Sequence, residues 1–149
     1  MNQIDILKKI ILERRSSKPS SMNGKKIEDA SIQALLELAD WAPTHGRTEP
    51  WRFIVFGNEE LKKFSYQHAE LYKKHTPDDK FTTAKYQGII QNGEKCSHLV
   101  AVYMKRQQTQ KIPLVEEIAA TSAAIKLLLV VKHPRSVGAK GVAGLTNLF

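Results

Sequence analysis

Two guanidinium groups, a hydroxyl and an ammonium stand together near the start of this chain, at Arg14, Arg15, Ser16 and Lys18. Guanidinium forks match phosphate oxygens, and a charge-assisted hydrogen bond contributes roughly 1.5–3 kcal/mol. The chemistry on offer is therefore capture of an anion, a phosphate above all. The run follows an apolar-periodic segment, so it falls at the C-terminal end of a helix, where the dipole repels anions and the side chains alone must attract them. Basic residues at a helix C-terminus also complement that dipole, and both readings stand on local grounds. A second constellation runs from Trp41-Ala42-Pro43-Thr44-His45 through Gly46-Arg47-Thr48-Glu49 to Pro50-Trp51. It joins an imidazole on a polar loop to an aromatic at each end, and such loops often present ligand groups from a rigid support. A packed aromatic pair around a turn is the plainer alternative.

Other residues carry weaker chemistry. His68 and His75 share a helical face but lack a carboxylate or thiolate partner, which argues for a half-buried His68 rather than a metal site. Glu116 and Glu117 open a helix and suit its positive end. Cys96 precedes a strand and reads as a small buried hydrophobe. Lys126 can snorkel out of an apolar helix. Gly138, Gly141 and Gly144 do not have the spacing of a dinucleotide fingerprint.

These groups need elements to position them. Ile4, Leu7, Ile10 and Ile11 predict a helix over residues 3–15. Ser16 to Gly24 is loop. Ile32, Leu35, Leu36 and Ala39 predict a second helix over residues 29–42, stopped by Pro43. Trp51–Phe56 is β-branched and aromatic, bounded by Pro50 and Gly57, and predicts a strand. Asn58 is the expected N-cap of the next helix, whose face is Leu61, Phe64, His68, Leu71 and Tyr72, ending near His75. The stretch 80–92 carries no decisive pattern. His98–Lys105 predicts a strand buried on both faces. A last helix runs from Leu114 to Val131, stopped by Pro134, and its small residues Ala119–Ala124 favour close backbone approach deep in the fold or at a subunit contact. Helices around separated strands make the class α+β.

The chain has 149 residues, enough for one domain that buries roughly 68–70% of its unfolded surface. Hydrophobic residues at 42% and charged residues at 26% argue against disorder. The formal charge of +8 attracts anions, but the basic residues are dispersed, which sets aside a dedicated nucleic-acid role. One cysteine permits no intrachain disulfide. Early charges exclude a signal peptide, and Leu127–Val131 is too short to span a bilayer, so a cytoplasmic, membrane-free protein is expected.

In order and spacing, Arg14-Arg15-Ser16, the Ala42-Pro43-Thr44-His45 loop and Pro50-Trp51-Arg52-Phe53-Ile54-Val55 resemble the nitroreductase family, in its compact members with an Ala-Pro-x-His loop. The likeness continues through the 59–75 helix, the 99–104 strand and the 117–124 helix. It implies an α+β nitroreductase-like fold, helices around a central mixed sheet, in a single domain over 1–149. It further implies a homodimer with FMN in clefts shared by two subunits. Arg14, Arg15 and Ser16 would hold the FMN phosphate and ribityl end, with Lys18 beside the isoalloxazine. Trp41 and His45 would reach the flavin bound mainly by the other subunit. The implied activity is ping-pong electron transfer from NAD(P)H to nitroaromatic, quinone or similar acceptors. The flavin supplies that chemistry, so no catalytic acid, base or nucleophile is expected from the chain. Residues 132–149 diverge from the family: a Trp-centred segment is missing and the chain stops at Phe149. An incomplete C-terminus is therefore expected, and a non-catalytic or flavin-deficient dimerisation scaffold is the alternative function.

Overall fold

A computed structural model describes residues 2–130. The divergent tail at 132–149 and the Pro134 helix stop lie outside the described residues. Five helices and two strands follow in the order α1 (Gln3–Glu13), α2 (Asp29–Ala39), β1 (Trp51–Gly57), α3 (Asn58–His75), α4 (Thr83–Lys95), β2 (His98–Met104) and α5 (Leu114–Val130), with short 3-10 turns at Pro19–Ser21 and His45–Arg47. This is the expected α+β class. Among the described residues the sheet is β1 beside β2. The Lys105 N–H donates to the Pro50 carbonyl at 2.7 Å, and at the opposite ends Gly57 lies against the His98 ring, so the strands run antiparallel. Two compact units divide the described chain: 2–14, 27–55 and 100–130 in the first, 15–26 and 56–99 in the second.

In the first unit, α1 starts at a reciprocal capping box. The Asp5 N–H donates to Asn2 Oδ1 at 2.9 Å while the Asn2 N–H donates to Asp5 Oδ2. Its apolar stripe does not enter a core: α1 buries no residue, and Ile4 is 75% exposed. The core lies instead between α2 and α5. Ala39, Ala42, Trp51, Ala120 and Ala124 form it, flanked by Phe53, Ala123, Leu127 and Leu128. Small residues on both helices let the backbones approach closely, and Trp51 fills the remaining space. The Trp51 indole N–H donates to Asp40 Oδ1 at 2.9 Å, which satisfies a donor that burial would otherwise orphan. The small-residue row of α5 is thus used inside one chain by Ala120 and Ala124, while Ala119 and Ser122 stay exposed.

In the second unit, α3 packs on α4. The buried row of α3 is Leu61, Ser65 and Ala69; of the expected face Leu61 is buried, Phe64 and Tyr72 are half-buried, and His68 and Leu71 point to solvent. The reason is at Gly93 of α4, where an added Cβ would stand 2.3 Å from Ser65 Oγ. Helices this close can be matched only by small side chains at the crossing. Asn58 is not the cap. Gly57 occupies that position, and Asn58 is the first helical residue, with φ of 46°. The undecided stretch becomes α4, whose first turn is capped when Thr82 Oγ1 accepts the Lys85 N–H. Tyr72 ties the α3–α4 turn together, stacking on Phe81 at 5.5 Å and accepting the Thr82 N–H. β2 is half-buried, with Tyr103 exposed, rather than covered on both faces.

Candidate functional site

The cationic run leaves α1 as extended chain. Arg14 is the C-cap of the helix, half-buried, with φ of −58° and ψ of 127°. It belongs to the first unit, and Arg15, Ser16 and Lys18 belong to the second. Arg15, Ser16 and Lys18 are exposed. Lys18 caps the turn at Pro19–Ser21 through its backbone, its carbonyl accepting from the Ser21 N–H at 2.9 Å and from Ser21 Oγ at 2.7 Å. That local bond leaves the chain direction after Lys18 determined by Pro19, whose ring presets φ at the first turn position.

Trp41 and His45 both stand on the segment joining α2 to β1. Trp41 is 84% exposed, an unusual placement for an indole. Beyond Pro43 the loop is tightly wound. Gly46, Arg47 and Glu49 all have positive φ, at 60°, 54° and 41°. Arg47 and Glu49 are L-residues in the left-handed region, a cost of order 1–3 kcal/mol each that surrounding contacts must offset. Those contacts are visible: the Thr44 and Thr48 hydroxyls bond at 2.9 Å, and the Glu49 N–H donates to Thr44 Oγ1. Gly46 suits its positive φ, and a Cβ there would stand 3.3 Å from Ile112 Cδ1, a tight contact.

This winding carries the imidazole of His45 to the first turn of α5, where its Nδ1 lies 2.5 Å from Glu116 Oε2. The next residue anchors the same turn from the other side. Glu117 is 1% exposed; its Oε1 accepts the Gln107 N–H at 3.4 Å, and its Oε2 lies 3.5 Å from Arg106 Nε. Arg106 Nε and Glu117 Oε2 are close enough to attract as ions, yet neither makes a hydrogen bond. The attraction is therefore Coulombic, without the directional bond that usually compensates a buried carboxylate. By residue type and position Glu116 and Glu117 suit the positive end of α5, and general acid–base work has no support in the sequence. No sequence signal separates a glutamate that serves its own helix from one that reaches a loop 71 residues away.

Elsewhere in the second unit, burial pushes the Cys96 thiol above its ordinary value, with Lys26 pulling the other way. Its Sγ lies 3.3 Å from Met22 Sδ, the setting of a packed, weakly reactive sulfur. His68 makes a tilted ring contact with Phe64 at 6.1 Å. Among the described residues no three or more metal-ligating side chains gather, and no helix is long and apolar enough to cross a membrane.

An α+β chain with a cationic run leaving its first helix and a His-bearing loop ahead of its first strand can be set against known proteins. The model of the nitroreductase family matches residues 11–141, a span holding both constellations. A Bacillus subtilis relative, YfhC, whose name assigns it provisionally to the NAD(P)H nitroreductases, is 29% identical over 139 residues, covering 93% of this chain and 69% of the relative. A nitroreductase-like family protein from Bacillus cereus superposes with a TM-score of 0.60 at 25% identity, over 83% of this chain and 62% of that one. The FMN-dependent nitroreductase NfnB from Mycobacterium smegmatis, solved with NADPH, gives a TM-score of 0.63 over 87% of this chain and 70% of that one; at 10% identity that likeness is one of fold. The chain belongs to the nitroreductase family. It spans 62% of the length of the Bacillus cereus protein.

Proposed function

We propose that this protein is an FMN-dependent oxidoreductase that passes electrons from NAD(P)H to nitroaromatic, quinone or similar acceptors by a ping-pong mechanism, as a cytoplasmic homodimer built on a single domain. The observation that carries the reading is the family match over 11–141, which includes the Arg14–Lys18 run and the Trp41–Trp51 loop. The fold of a relative that is FMN-dependent and was solved with NADPH supports it.

The donor set suits a flavin phosphate. Two guanidinium groups and a hydroxyl at Arg14, Arg15 and Ser16 are planar and directional donors of the kind that phosphate oxygens take. In this reading they hold the phosphate and ribityl end, and Lys18 serves beside the isoalloxazine. Trp41 and His45 serve the flavin held mainly by a second copy, and the exposure of Trp41 fits an indole that a ligand or a partner covers. The bare apolar stripe of α1 is likewise surface that a second copy would remove from water. When bound, the flavin supplies the redox chemistry; the chain binds, orients and excludes water.

Flavin titration of the purified full chain tests this. Uptake of added FMN, followed by NAD(P)H oxidation that depends on a nitroaromatic or quinone, is the expected result. Replacing Arg14 and Arg15 together by Ala should weaken FMN binding by at least tenfold, about 1.4 kcal/mol and no more than one charge-assisted bond contributes. A folded circular-dichroism spectrum without FMN uptake refutes the reading. A flavin-loaded dimer without turnover favours the scaffold alternative.

A further inference from the structure

We infer that Glu116 is a positioning residue for His45: its carboxylate holds the imidazole proton on Nδ1, so that Nε2 becomes the atom the loop offers to a ligand. An ionised carboxylate only accepts, so the proton shared across the 2.5 Å contact belongs to Nδ1. Fixing one ring nitrogen in this way determines what the other can do. In the neutral ring Nε2 then carries a lone pair and takes a hydrogen-bond donor. Among the described residues no hydrogen-bond partner meets Nε2, and the side chain is 63% exposed.

Two features set this contact apart from an ordinary surface ion pair. The loop that carries His45 to Glu116 holds positive φ at Gly46, Arg47 and Glu49, and the Thr44–Thr48 bond braces that path. On the other side, Glu116 sits in a helical turn anchored by the buried Glu117, with Arg106 and Gln107 against it. The backbone positions of both partners are thus preset, and little main-chain freedom remains to be lost when they meet.

The ligand half of the inference rests on the proposed function. The chemical class that Nε2 would take is an N–H or O–H donor, such as the imide N–H of an isoalloxazine ring or the hydroxyl of a hydroquinone.

The test is long-range proton–nitrogen NMR on the full chain labelled at its histidines, recorded where the ring is neutral. Wild type should show His45 as the Nδ1–H tautomer. Glu116→Ala should shift the tautomer ratio about fivefold towards Nε2–H, which is the population change that an exposed pair of about 1 kcal/mol sustains. Glu116→Gln, whose amide oxygen still accepts, should retain the wild-type tautomer. An Nε2–H ring in wild type, or identical ratios in wild type and Glu116→Ala with both folded by circular dichroism, overturns the positioning role. FMN and a hydroquinone are then added separately, and a shift of the His45 Nε2 resonance with one of them identifies the donor. An unmoved Nε2 in a chain that has bound FMN, and that meets the hydroquinone, overturns the ligand half. A chain that takes up no FMN overturns the proposed function instead, while the tautomer measurement still judges Glu116.

Discussion

Arg106 and Glu117 should respond to mutation asymmetrically. The Glu117 side chain is fully buried and that of Arg106 is 34% exposed, with Nε and Oε2 3.5 Å apart. At an effective dielectric of about 20 the attraction at this distance is roughly 5 kcal/mol, against a desolvation cost of several kcal/mol for the carboxylate. The pair as a whole is therefore close to neutral, and what matters is which partner is left behind. Arg106→Met strands a carboxylate away from water, at about 3 kcal/mol, the lower end for a broken buried pair because Gln107 N–H still donates to Oε1. Glu117→Gln strands a guanidinium that already reaches solvent and can turn further towards it, at about 1 kcal/mol. Thermal unfolding followed by circular dichroism reads these as losses of about 9 °C and about 3 °C, at roughly 3 °C per kcal/mol for a chain of this length. The Arg106→Met/Glu117→Met double variant should recover most of the larger loss, since apolar replacements of similar volume are often neutral at buried ion pairs. Equal losses in the two single variants, or a double variant that loses their sum, would refute the reasoning.

Three further outcomes follow from particular contacts. Gly88 has nothing within 4 Å of an added Cβ, whereas at Gly93 it would collide with Ser65. Gly88→Ala should raise the melting temperature by about 2–3 °C, from roughly 0.8–1 kcal/mol of helix propensity, and Gly93→Ala should lower it by an overpacking cost of about 1–3 kcal/mol. The Tyr86 hydroxyl donates to Glu70 Oε1, and this bond pushes the phenol up to about 12. Its folded value exceeds the unfolded one, so the contribution to stability is complete below the ordinary phenol value of about 10 and is lost as pH rises towards the folded value. Phenolate absorbance should show one late-titrating tyrosine that Glu70→Gln returns towards the ordinary range. Asp40→Ala removes the acceptor of the buried Trp51 indole and should cost about 1–2 kcal/mol in urea unfolding, with the slope unchanged.

Local chemistry is what made much of this protein legible in sequence. Pro43 stops α2 within a few residues of where periodicity places the end, Pro50 and Gly57 bracket β1, and the cations after α1 are identifiable by type alone. The ordered constellations at Arg14–Ser16 and Trp41–Trp51 point to the family that the residue 11–141 match establishes. These signals survive because each depends on a backbone preference or charge that a residue carries wherever it stands.

Partnership does not survive in that way, and only the tertiary structure decided it. Periodicity chose His68 and Leu71 for the inner face of α3, but the close crossing at Gly93 turned Ser65 and Ala69 inward instead. Gly88 and Gly93 lie on one helix and are alike in sequence, yet one faces space and the other a serine hydroxyl. Glu116 and Glu117 are adjacent and chemically identical, yet a helix turns successive side chains by roughly 100°. That rotation sends the first to the His45 loop and the second into the protein beside Arg106.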